Sequence, residues 1–232
     1  MKLIFVNLLP MLAIQFHERV IHFNDWATIL FALCFLVIGV NRNVFQARFN
    51  EFVKLAISDK YTKIYKDTSN LMSGFTISMF FVQLLSFTFF ILLLLKQFKI
   101  SKTSDGILFL QIFTFLAVFI LSKYLIEKII ATSFKIEEFN EQFNLLKVSY
   151  RTYFGFLLLP INIILFYNPI LNKKWIFYII IAILIIANII TYFVTLKMYQ
   201  NSVIRKIFYF ILYLCTLEIA PYYFIYYFIT KN

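Results

Sequence analysis

Charged residues are scarce in this chain, and their scarcity excludes a water-soluble fold. Only 14% of the 232 residues are charged, whereas 62% are hydrophobic. Soluble domains average roughly 25% charged and 45–50% apolar residues. A soluble core cannot hold such an excess of apolar side chains, so the composition indicates a membrane protein. Since no long polar stretch remains for another unit, we expect residues 1–232 to form a single membrane domain.

Cysteine, histidine and glycine are also few, and each shortage excludes a class of site or packing. Both cysteines lie inside apolar runs, which argues against a disulfide framework or a CxxC metal site. His17 and His22 are five residues apart, whereas a helical zinc pair needs a spacing of four. Only 4 glycines are present, so 31 Phe and 15 Tyr favour bulky aromatic packing. Since the common catalytic motifs are missing, we expect no enzyme activity, no metal site and no cofactor.

Apolar runs recur along the chain, and most reach the roughly 20 residues that a helix needs to cross a bilayer. They predict an all-α membrane bundle with six firm transmembrane helices. The apolar N-terminal segment, 1–16, has a shorter run that either lies in the interface or forms a seventh span. The six predicted spans are 26–40, 71–95, 107–121, 150–167, 175–196 and 207–229.

The basic segment 41–70 follows the first span and has an aromatic helical face. Phe45, Phe49 and Phe52 share that face and Arg48 lies off it, which predicts a helix lying in the membrane interface. A cluster of lysines comes next. It is either a binding site for anionic lipid or, as the plainer interpretation, a solvated cytoplasmic loop. These lysines are Lys60, Lys63 and Lys66.

The second basic segment, 122–151, continues the third span. Lys123 and Glu127 are spaced as a surface pair on a helix, so we expect one long helix to emerge from the bilayer. Apolar residues at helical spacing then predict a second, separate amphipathic helix over 134–148, which would also lie in the membrane interface on the cytoplasmic side.

The positions of Lys and Arg predict the orientation in the membrane. Loops 41–70, 122–151 and 197–206 contain 6, 5 and 3 basic residues, whereas 96–106 and 168–174 contain 3 and 2. The positive-inside rule places the first set in the cytoplasm and the C-terminus in the periplasm. Because the net charge of +11 is spread over many short loops, we expect lipid and other membrane proteins as partners, and no nucleic acid.

Glu218 is an acid near the middle of the sixth predicted span. A carboxylate at that depth costs roughly 2.5–3.5 kcal/mol, so it should face the bundle interior. Pro221 frees the carbonyl of Leu217, which could help to bind a cation or a water that carries a proton. Asn162 and Asn188 are candidate neighbours from other spans. The alternative for all of these residues is a structural hydrogen bond between helices.

Several short stretches together resemble an uncharacterised family of polytopic inner-membrane proteins from Bacteroidota, classed as a domain of unknown function. They are Asn24–Thr28, Arg48–Phe49, Lys60–Tyr61, Gly155–Pro160 and Tyr213–Pro221. The resemblance covers about 17–232 and implies a bacterial inner membrane without implying an activity.

Two hypotheses of function follow. The first is a non-catalytic subunit or assembly factor of an envelope complex. The second is a small transporter or proton-coupled channel centred on Glu218.

Overall fold

α-Helices make up every regular element in the part of the chain that the computed structural model describes. That part comprises residues 25–55, 58, 60–65, 73–98, 104–133, 137–168, 173–198 and 227, with the backbone alone at 62–63, 138–139 and 192–198. The helices are α1 (Asp25–Val44), α2 (Gln46–Val53), α3 (Lys60–Ile64), α4 (Gly74–Gln97), α5 (Asp105–Ser133), α6 (Glu137–Tyr167) and α7 (Lys174–Met198).

Five of these helices, α1 and α4 to α7, are long and apolar enough to cross a membrane. The all-helical prediction is confirmed for the described residues, and these five helices coincide with five of the six predicted spans. The bundle is compatible with a multi-pass membrane protein. The sixth predicted span, 207–229, and the N-terminal segment 1–16 lie outside the described residues.

The prediction of two separate helices over 134–148 and 150–167 was wrong, because α6 is one helix of 31 residues. The predicted amphipathic stripe is buried inside the protein instead of lying in the interface: Phe143 and Leu146 are 3% and 1% exposed. The stripe therefore needs no change of helix direction at the bilayer surface. α6 also continues through Pro160. The single long helix predicted to follow 107 is confirmed as α5, which has 29 residues.

α4 lies at the centre of the bundle and packs most extensively against α6, with α5 and α1 on other sides. In an apolar stretch of 18 residues in each helix, 61% of the residues are buried in α4, compared with 6% in α5 and 11% in α7. Aromatic rings fill much of the interior, as the shortage of glycine suggests. The ring of Phe89 lies 4.2 Å from that of Phe31 and 4.7 Å from that of Phe109, measured between centroids.

Polar groups hold α4 and α6 together where the two backbones come close. A Cβ atom added at Gly155 would lie 2.8 Å from the Cα of Gln83, so only glycine fits without a shift. Two buried hydrogen bonds flank this approach: the Thr152 hydroxyl donates to Gln83 Oε1 at 2.9 Å, and Asn162 Nδ2 donates to the Ser86 carbonyl at 2.7 Å. α4 and α6 are thus closely packed and joined by buried hydrogen bonds.

Candidate functional site

A cleft of about 520 Å³ lies between α5 and α7, with α4 and α6 forming its floor. Its size falls in the range of roughly 300–1,000 Å³ typical of ligand sites. α5 and α7 both pack against α6 but have little contact with each other, which leaves the space between them. Most of the lining is apolar, including Phe87, Ile91, Leu116, Ile120, Ile185 and Ile189.

The polar side chains of the cleft lie at one end. Gln83 accepts a hydrogen bond from Thr152, which adjoins Arg151, so α4 and α6 bring these groups to the same level. Further along α4 the lining becomes Phe87 and Ile91. On α5, Lys123 lies at the end nearer to the α5–α6 connection, and Ile120 and Leu116 lie further away. The cleft therefore has a basic, donor-rich end and a long apolar end.

Gln83 is 1% exposed, and its hydrogen bonding is incomplete within the described part of the chain. The Oε1 atom accepts from Thr152, whereas Nε2 has no partner there. A buried donor without a partner costs about 1–3 kcal/mol. The side chain of Gln83 lines the cleft, so an acceptor bound in the cleft is a natural partner for this amide.

A buried ion pair lies beyond the basic end of the cleft. Lys147 Nζ of α6 is 3.1 Å from Glu127 Oε1 of α5, and the Glu127 side chain is only 3% exposed. The surface pair predicted between Lys123 and Glu127 is therefore wrong in its environment, since Lys123 is 9% exposed and Glu127 joins a neighbouring helix. The carboxylate of Glu127 is engaged by Lys147, and Arg151 has no carboxylate partner among the described side chains.

The predicted interfacial face of 45–52 is buried in the protein, so its assignment to lipid is corrected. Phe52 is 1% and Phe49 8% exposed, and both join a cluster with Phe75 and Tyr153. Phe45 is half-buried and meets Phe75 edge-to-face at 5.9 Å between centroids. Because α2 folds back against α4 and α6, protein instead of lipid covers these rings.

Arg48 is also buried, although its position on the helical wheel suggested exposure. Its Nη1 donates to Ser73 Oγ at 2.6 Å and its Nη2 to Thr76 Oγ1 at 2.9 Å. The guanidinium carbon lies 4.9 Å from the ring centroids of Tyr65 and Phe75. Arg48 thereby fastens α2 to the start of α4, which is a structural role.

The predicted site residues do not form one constellation in the described structure. Asn162 is buried between α6 and α4, whereas Asn188 lines the cleft and donates to the Leu184 carbonyl at 3.1 Å. Lys60 is exposed and pairs with Glu51 at 3.3 Å. The remaining predicted residues, Glu218, Pro221, Lys66 and the side chain of Lys63, lie outside the described residues.

Sequence reasoning missed Arg151 and Lys147 as site residues. Both were counted only as loop charges for orientation, although α6 carries them into the bundle. One available signal was the spacing of Phe143, Lys147 and Tyr150, which continues the buried stripe of α6 at intervals of four and three. A cation on such a stripe indicates a buried charge.

A family model described as "Domain of unknown function (DUF4271)" matches residues 27–229, and the chain therefore belongs to this family. No curated protein and no solved structure matches the chain. The match agrees with the resemblance noted from the sequence and brings no activity with it.

Proposed function

We propose that this member of the family is a non-catalytic subunit or assembly factor of a complex in the bacterial cell envelope. The observation that carries the proposal is the outer face of α5. Only 6% of the apolar 18-residue stretch of this helix is buried. The exposed face includes Gln111, whose amide has no hydrogen-bond partner among the described residues.

An amide on an outward face at this depth favours contact with another helix. Gln111 lies about 9 Å along α5 from Asp105, which is inside a hydrocarbon core about 30 Å thick. Interhelical hydrogen bonds of this kind contribute roughly 0.6 kcal/mol in membranes. A partner helix would satisfy Gln111 and would cover Phe115 and Val118, which are 58% and 64% exposed.

The experiment is photo-crosslinking in living cells with a benzophenone amino acid in place of Phe115. We expect a protein adduct at this position, and we expect Gln111→Leu to reduce it. The same label at Phe35, on the exposed face of α1, serves as the control and should give no such adduct. No adduct at position 115, or purification of an active monomer, would argue against the subunit role.

The proposal includes a location and an orientation. We infer the inner membrane of a bacterium, within Bacteroidota as the resemblance implies. The loops 41–70, 122–151 and 197–206 are placed in the cytoplasm, since together they contain 14 Lys and Arg against 5 in 96–106 and 168–174. In this orientation the C-terminus is periplasmic.

A second candidate function is transport, in the form of a small transporter or proton-coupled channel centred on Glu218. The cleft favours it, because Asn188 and Gln83 bring polar groups to an opening between membrane helices. Transport requires a carboxyl that exchanges a proton, which an amide cannot do.

Substitution at Glu218 separates the two functions. Glu218→Gln should fold in both cases, because the amide keeps the shape and the hydrogen bonding of the acid. It should preserve the cellular phenotype of a subunit, but it should abolish transport at normal protein abundance. Glu218→Ala should lower abundance and thermal stability by leaving a partner unsatisfied, at a cost of about 1–3 kcal/mol. Wild-type stability of Glu218→Ala would show that the acid holds no helices together.

A further inference from the structure

We propose that the cleft between α5 and α7 binds an anionic amphiphile, with the head group at Arg151 and Gln83 and an acyl chain along the apolar end. This inference goes beyond the proposed role as a subunit and does not depend on it. The occupant that fits is an acidic phospholipid of the surrounding bilayer.

The positive charge of Arg151 at the basic end of the cleft selects an anion. Arg151 is half-buried, and no carboxylate among the described residues pairs with it. Lys123 lines the same part of the cleft. Arginine presents a planar fork of donors that matches the oxygens of a phosphate. A phosphodiester at this point would neutralise the charge of Arg151.

The unpartnered amide of Gln83 supplies an independent sign of a ligand. This side chain is 1% exposed and lines the cleft, yet its Nε2 has no acceptor in the described part of the protein. Asn188 lines the same cleft. All four polar side chains can donate hydrogen bonds, so the site suits a group with several acceptor oxygens.

The depth of the basic end matches the position of a lipid head group. The ion pair of Lys96 with Asp105 marks the water side of the α4–α5 turn. Lys123 lies about 27 Å further along α5, and Arg151 about 24 Å from the end of α6 at Tyr167. A hydrocarbon core about 30 Å thick therefore ends near these cations, on the side where the head groups of the other leaflet lie. Basic pockets between membrane helices on the cytoplasmic side commonly bind such head groups.

The remainder of the cleft has the character of an acyl-chain site. Phe87, Ile91, Leu116 and Ile185 extend from the basic end toward the opposite leaflet. A lipid can enter sideways, because α5 and α7 make little contact with each other. The chain would thus lie parallel to the helices while the phosphate stays at its usual depth.

The test is native mass spectrometry of the full-length protein, delipidated in detergent and titrated with single lipids. We expect the first phosphatidylglycerol to bind about fivefold more tightly than phosphatidylcholine with the same chains, the factor that about 1 kcal/mol for one basic residue gives. Arg151→Gln should remove this preference. Lys128→Gln, an exposed lysine on α5 outside the cleft, should keep it.

Further arms of the experiment test the chain and the source of the phosphate. Leu116→Trp should fill the apolar end and weaken both lipids, whereas Val118→Trp, on the outward face of α5, should not. Glycerol phosphate, a head group without a chain, should not compete with phosphatidylglycerol. Equal binding of the two lipids, an unchanged preference in folded Arg151→Gln, or effective competition by glycerol phosphate would each overturn the proposal.

Discussion

At the residue scale, alanine substitution of two glycines in the membrane helices should have opposite effects on stability. A Cβ at position 155 would lie 2.8 Å from the backbone of Gln83, whereas a Cβ at position 39 meets nothing within 4 Å. Gly155→Ala should therefore force α6 away from α4 and destabilise the protein by about 1–3 kcal/mol, which is typical of overpacking. Gly39→Ala should stabilise α1 by up to about 1 kcal/mol, because alanine is the better helix former.

Thermal unfolding in one detergent, measured on both variants beside the wild type, checks the pair of predictions. The two substitutions add the same atom to a helix, so general effects of detergent or expression cancel between them. A Gly155→Ala protein as stable as Gly39→Ala would show that α4 and α6 can separate without cost.

The surroundings of some single residues could not be predicted from the sequence. The helical pattern of 45–52 was visible, but the partner of its aromatic face was not. Arg48 is buried because Ser73 and Thr76, 25 and 28 positions away, accept from its guanidinium. These partners are too far away in the sequence for a local pattern to identify them. Helical periodicity therefore shows which residues share a face, but it cannot show whether lipid or protein covers that face.

At the element scale, the buried ion pair joins α5 to α6 beyond their apolar parts. Glu127→Gln should leave Lys147 as a buried charge without its carboxylate, which typically costs about 3–5 kcal/mol. Replacing both residues with leucine should recover most of the loss, since a buried pair and an apolar pair of similar volume often have similar stability.

Thermal unfolding of the single and double variants measures this coupling. Glu51→Gln is the matched control, because its pair with Lys60 is exposed and should matter little. A fall in stability for the double variant as large as that for Glu127→Gln would contradict the prediction.

Helix boundaries were predictable wherever a polar turn interrupted an apolar run. α1, α4 and α7 begin and end within four residues of the predicted limits, and α5 begins within two residues of its predicted start. Polar stretches of the sequence adjoin these helices. The exception, α6, has no proline or glycine between its amphipathic and apolar halves. The separation at 148–150 was inferred only from a change of composition. Burial of the polar half against α5 removed the reason for a break.

At the scale of the whole molecule, the distribution of charge predicts which ends face the cytoplasm. A C-terminal alkaline phosphatase fusion should be active and a C-terminal fluorescent protein fusion dark, because the C-terminus is placed in the periplasm. Fusions at position 136, between α5 and α6, should behave in the opposite way. The reverse pattern at both sites would invert the proposed orientation, and with it the leaflet whose lipid enters the cleft.

The all-α membrane fold class could be predicted from the composition and the apolar runs, whereas the cleft could not. Its lining comes from four helices, and which helices become neighbours depends on contacts such as Gly155 on Gln83. Sequence reasoning named Asn162 and Asn188 as possible partners, yet the first faces α4 and the second faces the cleft. Periodicity assigns a residue to a face of its own helix and cannot choose the helix opposite.

The polar contacts between α4 and α6 also set a delay during biosynthesis. The partner of Gln83, Thr152, is synthesised 69 positions later, and the partner of Ser86, Asn162, is synthesised 76 positions later. At about 5–20 residues per second, α4 spends roughly 3–15 s in the membrane before Gln83 Oε1 and the Ser86 carbonyl meet their donors on α6. During that interval the insertion machinery, or α4's own backbone, must shield these groups from lipid. A ribosome stalled before residue 150 should therefore hold α4 beside the translocon, and release should follow the emergence of α6.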